Sequence, residues 1–392
     1  MRTLTCLILS LLILQGCSGN KEEINFEWDQ IKIGNEARLA DLIEVEQAGF
    51  VNSELSDYQA VKLPKKVIQW KDYFIYQTQE KYTQDAQLYI FNTDLSLLKV
   101  LKPNTSGAPN TFKEVTDFFT WKDQLYVYDY QSQKFVIFDE DLNVASEKRS
   151  GLYLQSVIST DAGIIAYSGK KTQLIDGKEY SYDLINLTED LSAESFAKEF
   201  DTYRSNGTAM HAGRPLINNK NEVYFTDFWN DSIYVVEGGE TKVKFLFQYE
   251  SPLPAEVNQK THQEILTGLI SRQFDAYEKG ASPTVITDKQ LLFSYGAKNT
   301  IKHGIYDLNS KKNVIFSDYI YSISEKLLMP MYAENESFIS FVYPYELKDY
   351  FYSGLISEDG FDKEFLAALE NEPQDGRPIM LKFKINTNDQ KL

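Results

Sequence analysis

Apolar and polar residues alternate along this chain in short runs separated by turns, and one run recurs. FVIFDEDL at 135–142 carries four apolar side chains into an acidic turn, and close copies stand at 88–95 (LYIFNTDL) and 184–191 (LINLTEDL). The intervals are 47 and 49 residues, which points to one supersecondary unit copied along the chain. Longer blocks agree: KDQLYVYDYQSQKFVIF at 122–138 aligns without gaps on KNEVYFTDFWNDSIYVV at 220–236, an offset of 98 residues. Each copy reads as a turn, an alternating strand (Leu125, Val127; Val223, Phe225), a polar hairpin tip and a second strand (Phe135 to Phe138; Ile233 to Val236). More divergent copies appear at 70–76, 160–168, 288–296 with 304–312, and 337–344 with 379–385.

Units of roughly 40 to 50 residues with about four strands have the size of β-propeller blades, each with sheet faces that it cannot bury alone. The recurring run is expected to supply an inner apolar strand pair and the acidic turn leaving it. Dividing the chain by the repeat gives seven blades, but two segments have helical spacing instead: 255–280, with Val257, Ile265, Leu266, Leu269, Ile270, Phe274 and Tyr277, and 361–373, with Phe361, Phe365, Leu366 and Leu369. Treating them as helical insertions favours an all-β, six-bladed propeller, with seven blades as the alternative. A strand near Leu42 to Val45 is placed to pair with the C-terminal blade and close the ring. The expected layout is a signal peptide at 1–16, a tether at 17–38 and the propeller at 39–392.

The N-terminus has Arg2, an apolar run from Leu7 to Leu14 and small residues before a cysteine, the layout of a secretory signal peptide. Leu14-Gln15-Gly16-Cys17 resembles the lipobox of bacterial lipoproteins, which implies Cys17 as lipid attachment site and a membrane anchor. Ser18 after the cysteine argues against inner-membrane retention, and Lys21-Glu22-Glu23 resembles an export signal of Bacteroidota surface lipoproteins. Beyond Cys17 the chain resembles the six-bladed propeller lipoproteins of the Bacteroidota, related in shape to NHL-type propellers. The carriers are LADLIEVEQ (39–47), EVTDFFTWKDQLYVYD (114–129), NDSIYVV (230–236) and RPIMLKFKI (377–385). The resemblance implies an outer-membrane, surface-facing location. One turn departs from the family: Gly107-Ala108-Pro109-Asn110-Thr111-Phe112 replaces its Gly-Pro-Gly-Glu-aromatic sequence.

Composition narrows the chemistry. A formal charge of −17 repels phosphate backbones, so nucleic acid is not an expected partner. Both cysteines, Cys6 and Cys17, lie in the leader region, leaving no thiol nucleophile or disulfide for the body. His211, His262 and His303 are scattered, and no GxSxG, HExxH, Walker or GxGxxG motif occurs. STDAGIIA at 159–166 resembles part of a sialidase Asp box, itself a turn.

Asp129 and Asp227 occupy equivalent repeat positions; such acids are turn formers or, across a central channel, a Ca²⁺ site or an acid–base pair. No other cofactor is expected. The segment 341–354 presents Tyr343, Tyr345, Tyr350 and Tyr352, and Trp229 sits at a hairpin tip; rings with a polar edge stack on sugars or clamp peptides, or pack between blades. TAMHAGRPL at 208–216 offers His211 and Arg214, whose guanidinium can grip a carboxylate or sulfate. Asp231-Ser232-Ile233 resembles an O-glycosylation acceptor. The expected function is capture of a glycan, a peptide or a protein partner at the cell surface, next to outer-membrane transport machinery. A calcium-assisted propeller lyase or hydrolase is one alternative; a structural subunit of a surface complex, docking through 255–280, is another.

Overall fold

The computed structural model describes residues 28–387, apart from 53–62, 79–85, 105, 107, 206–213, 228, 299, 318–326, 328–329 and 375. Within them six sheets, each built on four antiparallel strands, follow one another around an axis. From the innermost strand outward, blade 1 is Pro64–Trp70, Tyr73–Thr78, Leu88–Asn92 and Leu97–Leu101, and blade 2 is Asp117–Trp121, Gln124–Asp129, Lys134–Phe138 and Val144–Arg149. Blade 3 runs Ser156–Thr160, Gly163–Tyr167, Tyr182–Leu187 and Ala193–Glu199, with an extra hairpin of Gln173–Ile175 and Lys178–Tyr180. Blades 4 and 5 begin at Leu216–Asn219 and Glu278–Ile286. Blade 6 combines Tyr332–Glu334, Ser337–Val342 and Ile379–Ile385 with Ile43–Phe50 from the other end of the chain, so the ring is closed by a strand pair joining the two termini.

The recurring run belongs to the third strand of a blade rather than to an inner pair. Both faces of that strand are buried: Val136 and Phe138 pack toward blade 1, Phe135 and Ile137 toward blade 3. Leu88 with Ile90 and Tyr89 with Phe91 divide in the same way. Six large apolar clusters result, one at each interface between neighbouring blades. A strand buried on two sides has no polar face to alternate with, which is why FVIF is continuously apolar.

The acidic turn that follows has equally specific geometry. Leu95, Leu142 and Leu191 adopt left-handed backbone angles, φ 66°, 60° and 64°, and their amides donate to the carbonyls of Asn92, Asp139 and Thr188. Asp139 also accepts from the Asp141 and Asn143 amides. Left-handed backbone costs an L-residue roughly 1–2 kcal/mol. Each leucine is nevertheless retained with its side chain almost fully buried, a gain of about 1.5–3 kcal/mol that offsets the strain.

The ring begins earlier than residue 39. Asp29–Lys32 adds a fifth, parallel strand to blade 4 and Glu36–Ala37 does so to blade 5, so most of the expected tether's last ten residues is a strap around the propeller's rim. Alternation explains it: Ile31 and Ile33 point into the cluster between blades 4 and 5 while their polar neighbours face out. The helical segment at 255–280 resolves into a short 3-10 turn, Ala255–Gln259, and a helix, His262–Ile270, capped by a reciprocal Thr261–Glu264 box; residues 278–280 already belong to blade 5. The second insertion forms the helix Lys363–Asn371. A further helix, Pro344–Tyr352, occupies most of the aromatic stretch at 341–354.

Candidate functional site

Strand order fixes two unlike faces. Connections from first to second and from third to fourth strands are two to five residues long and lie on one face. Connections from second to third strands, and from blade to blade, lie on the other, including 249–277 and 343–378 with their helices. The helices within 202–205, 249–277 and 343–378 and the extra hairpin of blade 3 therefore crowd the loop face. Several exposed apolar side chains are carried there as well: Leu174, Tyr203 (83% exposed), Ile270 (77%) and Tyr352 (96%).

The innermost strands surround a central channel of about 1430 Å³. Its walls are mixed because these strands face water on one side, and at the loop-face mouth three charged side chains meet. Lys66, near the start of blade 1, donates to Asp117 Oδ1 of blade 2 at 2.5 Å and to the Phe118 carbonyl at 2.7 Å. The other oxygen of Asp117 accepts from the Val157 amide of blade 3 at 2.6 Å, so one carboxylate fastens three blades together. Arg214, entering blade 4, reaches across to blade 6 and donates to the Met331 carbonyl at 2.7 Å, with its second nitrogen against the Met331 thioether. Burial pushes the Lys66 ammonium down, with Asp117 opposing and Arg214 adding to the effect. Burial likewise pushes Arg214 down to about 10, against the pull of Asp117. Arg214 remains cationic at neutral pH.

The sequence candidates are dispersed. Arg214 is at the channel mouth; His211 and Cys17 lie outside the described residues. Asp129 is buried at the end of its strand and accepts from the amides of Lys113 and Ser132, holding the turn. Asp227 pairs at 3.2 Å with Lys170, which also binds Asp183 at 2.7 Å between blades 3 and 4. Neither aspartate lines the channel, and among the described residues no group of three or more His, Cys, Asp or Glu side chains is placed to hold a metal. Trp229 packs edge-on against Phe274, centroids 5.1 Å apart, and seats the helix insertion of 262–270. Tyr343 stacks on Tyr345 at 5.9 Å, Tyr350 is in the core between blades 5 and 6, and Tyr352 is exposed. Ser232 is buried as the first residue of its strand, so the folded chain does not present its hydroxyl as an acceptor. Sequence reasoning misses Lys66 and Asp117, whose signal is slight: two polar residues at or near the start of innermost strands that carry other polar residues too.

Asp231, beside this face, accepts from the Gly280 amide, and burial pushes its carboxyl up to about 6. A folded-state value above the ordinary 3.8 means that stability from this group is fully present below that value and is lost as pH rises through about 6. Asp231→Asn should therefore match the parent near pH 4 and exceed it in stability above pH 6. Urea denaturation at the two pH values would show this, and equal differences at both would refute it.

Fold and channel define a closed six-bladed propeller whose elaborated face opens onto a charged mouth. The chain belongs to the DUF5128 family of 6-bladed beta-propellers, whose family profile matches residues 20–341. Among solved structures it is similar to a Bacteroides fragilis protein described as exported, with 15% identity, a TM-score of 0.71, and coverage of 91% of this chain and 99% of that one. It is also similar to a DUF4221 family member from Bacteroides vulgatus, with 11% identity, a TM-score of 0.49, and coverage of 89% and 100%. At such identities the likeness concerns the fold. A comparison with curated proteins finds no match. Among the described residues no helix is long and apolar enough to cross a membrane.

Proposed function

We propose that this protein is an exported binding module, anchored at the outer membrane through lipid on Cys17, with the loop face turned outward to capture a glycan or peptide for neighbouring uptake machinery. The observation that carries the reading is the concentration of features on one face: the long connections, their exposed aromatic and aliphatic side chains, and the charged channel mouth are together, while the opposite face closes in short turns. A rigid ring holds such loops in place before a ligand arrives, which reduces the ordering cost of binding. The lipobox-like end of the leader and the likeness to an exported Bacteroides protein support the address. The positions of Asp129 and Asp227 lend nothing to a calcium-assisted reaction.

Thermal-shift and calorimetric titration of protein beginning at Ser18, against panels of oligosaccharides and peptides, tests the reading. A specific binder at 100 times its dissociation constant should stabilise the fold by about 2.7 kcal/mol, and Tyr352→Ala should weaken it. A flat response across both panels would overturn small-ligand capture. A protein partner is the second reading, favoured by Leu266 and Ile270, which leave the outer side of the helix at 262–270 apolar and exposed.

A further inference from the structure

Among the described residues the charges at the channel mouth do not balance. Lys65, Lys66 and Arg214 face Glu114 and Asp117 there, three cations against two carboxylates, in a chain whose overall charge is −17. Both carboxylates are already engaged. Asp117 accepts from Lys66, from the Phe118 amide and from the Val157 amide; Glu114 accepts from the Thr116 hydroxyl and the Gln131 amide. Arg214 has five N–H donors, and among the described residues it meets one carbonyl and one thioether, the latter a weak acceptor. Lys66 has a third N–H beyond its two bonds. A guanidinium drawn out of bulk water with donors to spare and, among the described residues, no carboxylate of its own is an unfavourable arrangement unless an anion completes it.

We propose that the mouth of the channel is a binding site for one monoanionic oxoanion, a carboxylate or a sulfate ester carried by the ligand, gripped by the free edge of Arg214 and by Lys66. The chemistry fits the pieces. A guanidinium fork pairs two parallel N–H groups with two oxygens of one group, and an ammonium adds a point charge from the side. The surplus of one positive charge matches a monoanion. The Met331 carbonyl on blade 6 holds Arg214 in place, and Asp117 does the same for Lys66, so both cations are set before the ligand enters. The site rests on the capture reading and deepens it: the anion anchors the ligand in the channel while the exposed loop side chains contact the rest.

The test uses protein beginning at Ser18 with sodium D-glucuronate, D-glucose 6-sulfate and D-glucose as probes, at constant ionic strength, read by calorimetry and thermal shift. One or both charged sugars should bind and stabilise while glucose does not, and which of the two does so identifies carboxylate or sulfate. Arg214→Gln should weaken the charged probe at least tenfold, Arg214→Lys should fall between, and added NaCl should weaken binding further. Charged sugars that act no better than glucose, or an Arg214→Gln variant with unchanged affinity and an unchanged melting curve, would overturn the site. Should Arg214→Gln fail to fold, Lys66→Gln takes its place with the same expectation. Neutral oligosaccharides or peptides that bind the parent and the Arg214→Gln variant equally would remove this anchor while leaving ligand capture intact.

Discussion

A chain beginning at residue 51 will not form a cooperatively folded ring. Such a truncation removes the fifth strands of blades 4 and 5 and the outermost strand of blade 6, which pairs along Ile379–Ile385 from Phe50 to Ile43. It also removes Ile31, Ile33, Leu39 and Leu42, each no more than 6% exposed. At about 1.5–3 kcal/mol per buried side chain these four contribute roughly 6–12 kcal/mol, an upper estimate comparable with the entire 5–15 kcal/mol stability of an ordinary domain. Circular dichroism melts and size exclusion would read the outcome, with a chain beginning at Asp29 as a control that should melt like the parent. A cooperative melt of the shorter chain within a few degrees of the parent would contradict the role assigned to the strap.

The second large effect is expected at Lys170. Its ammonium and the Asp183 carboxylate are buried together between blades 3 and 4, with Asp227 at 3.2 Å on the more open side. Lys170→Met leaves Asp183 without its cation, and breaking a buried pair in this way costs about 3–5 kcal/mol. Burial already pushes Asp183 up to about 6 with Lys170 pulling it down; without the lysine it rises further. Because a raised carboxyl loses stability as pH climbs through its folded-state value, the variant's deficit should be larger at pH 8 than at pH 5. Urea denaturation at both values measures it, and Lys170→Met with Asp183→Asn should recover part of the loss. A deficit that is small and independent of pH would show that the pair is dispensable.

How much of this was legible beforehand depended on what each strand faces. Third strands such as Lys134–Phe138 are buried on both sides, so their apolar runs repeat and reveal the blades. The innermost strands are different: Leu216–Asn219 turns toward a wet channel, and its short, half-polar sequence carries no repeat signal. For the same reason Lys66 looks like one more surface lysine until the ring brings it to Asp117 and Arg214. Tyr350 is misleading in the opposite direction. Pro344 at the first helical turn, followed by Leu347, Tyr350 and Phe351 at helical spacing, marks a helix whose apolar side joins the core, while Tyr345 and, far more, Tyr352 are left to solvent. Among the described candidates, Arg214 is the one that lines the channel.

The seam in blade 6 also sets the order of events in time. Asn386 bonds Glu44 at a sequence separation of 342, so the last backbone pairs to form wait for Ile379–Ile385. Contacts of such sequence separation are slow to make, since the entropy of closing the loop is lost before any pairing is gained. A chain emerging N-terminus first would carry five blades with one sheet unfinished until Ile379–Ile385 arrives. Once zipped, that same seam is the natural place for opening to start, and the rate at which Ile379–Ile385 separates from Ile43–Phe50 governs how long the ring persists among proteases.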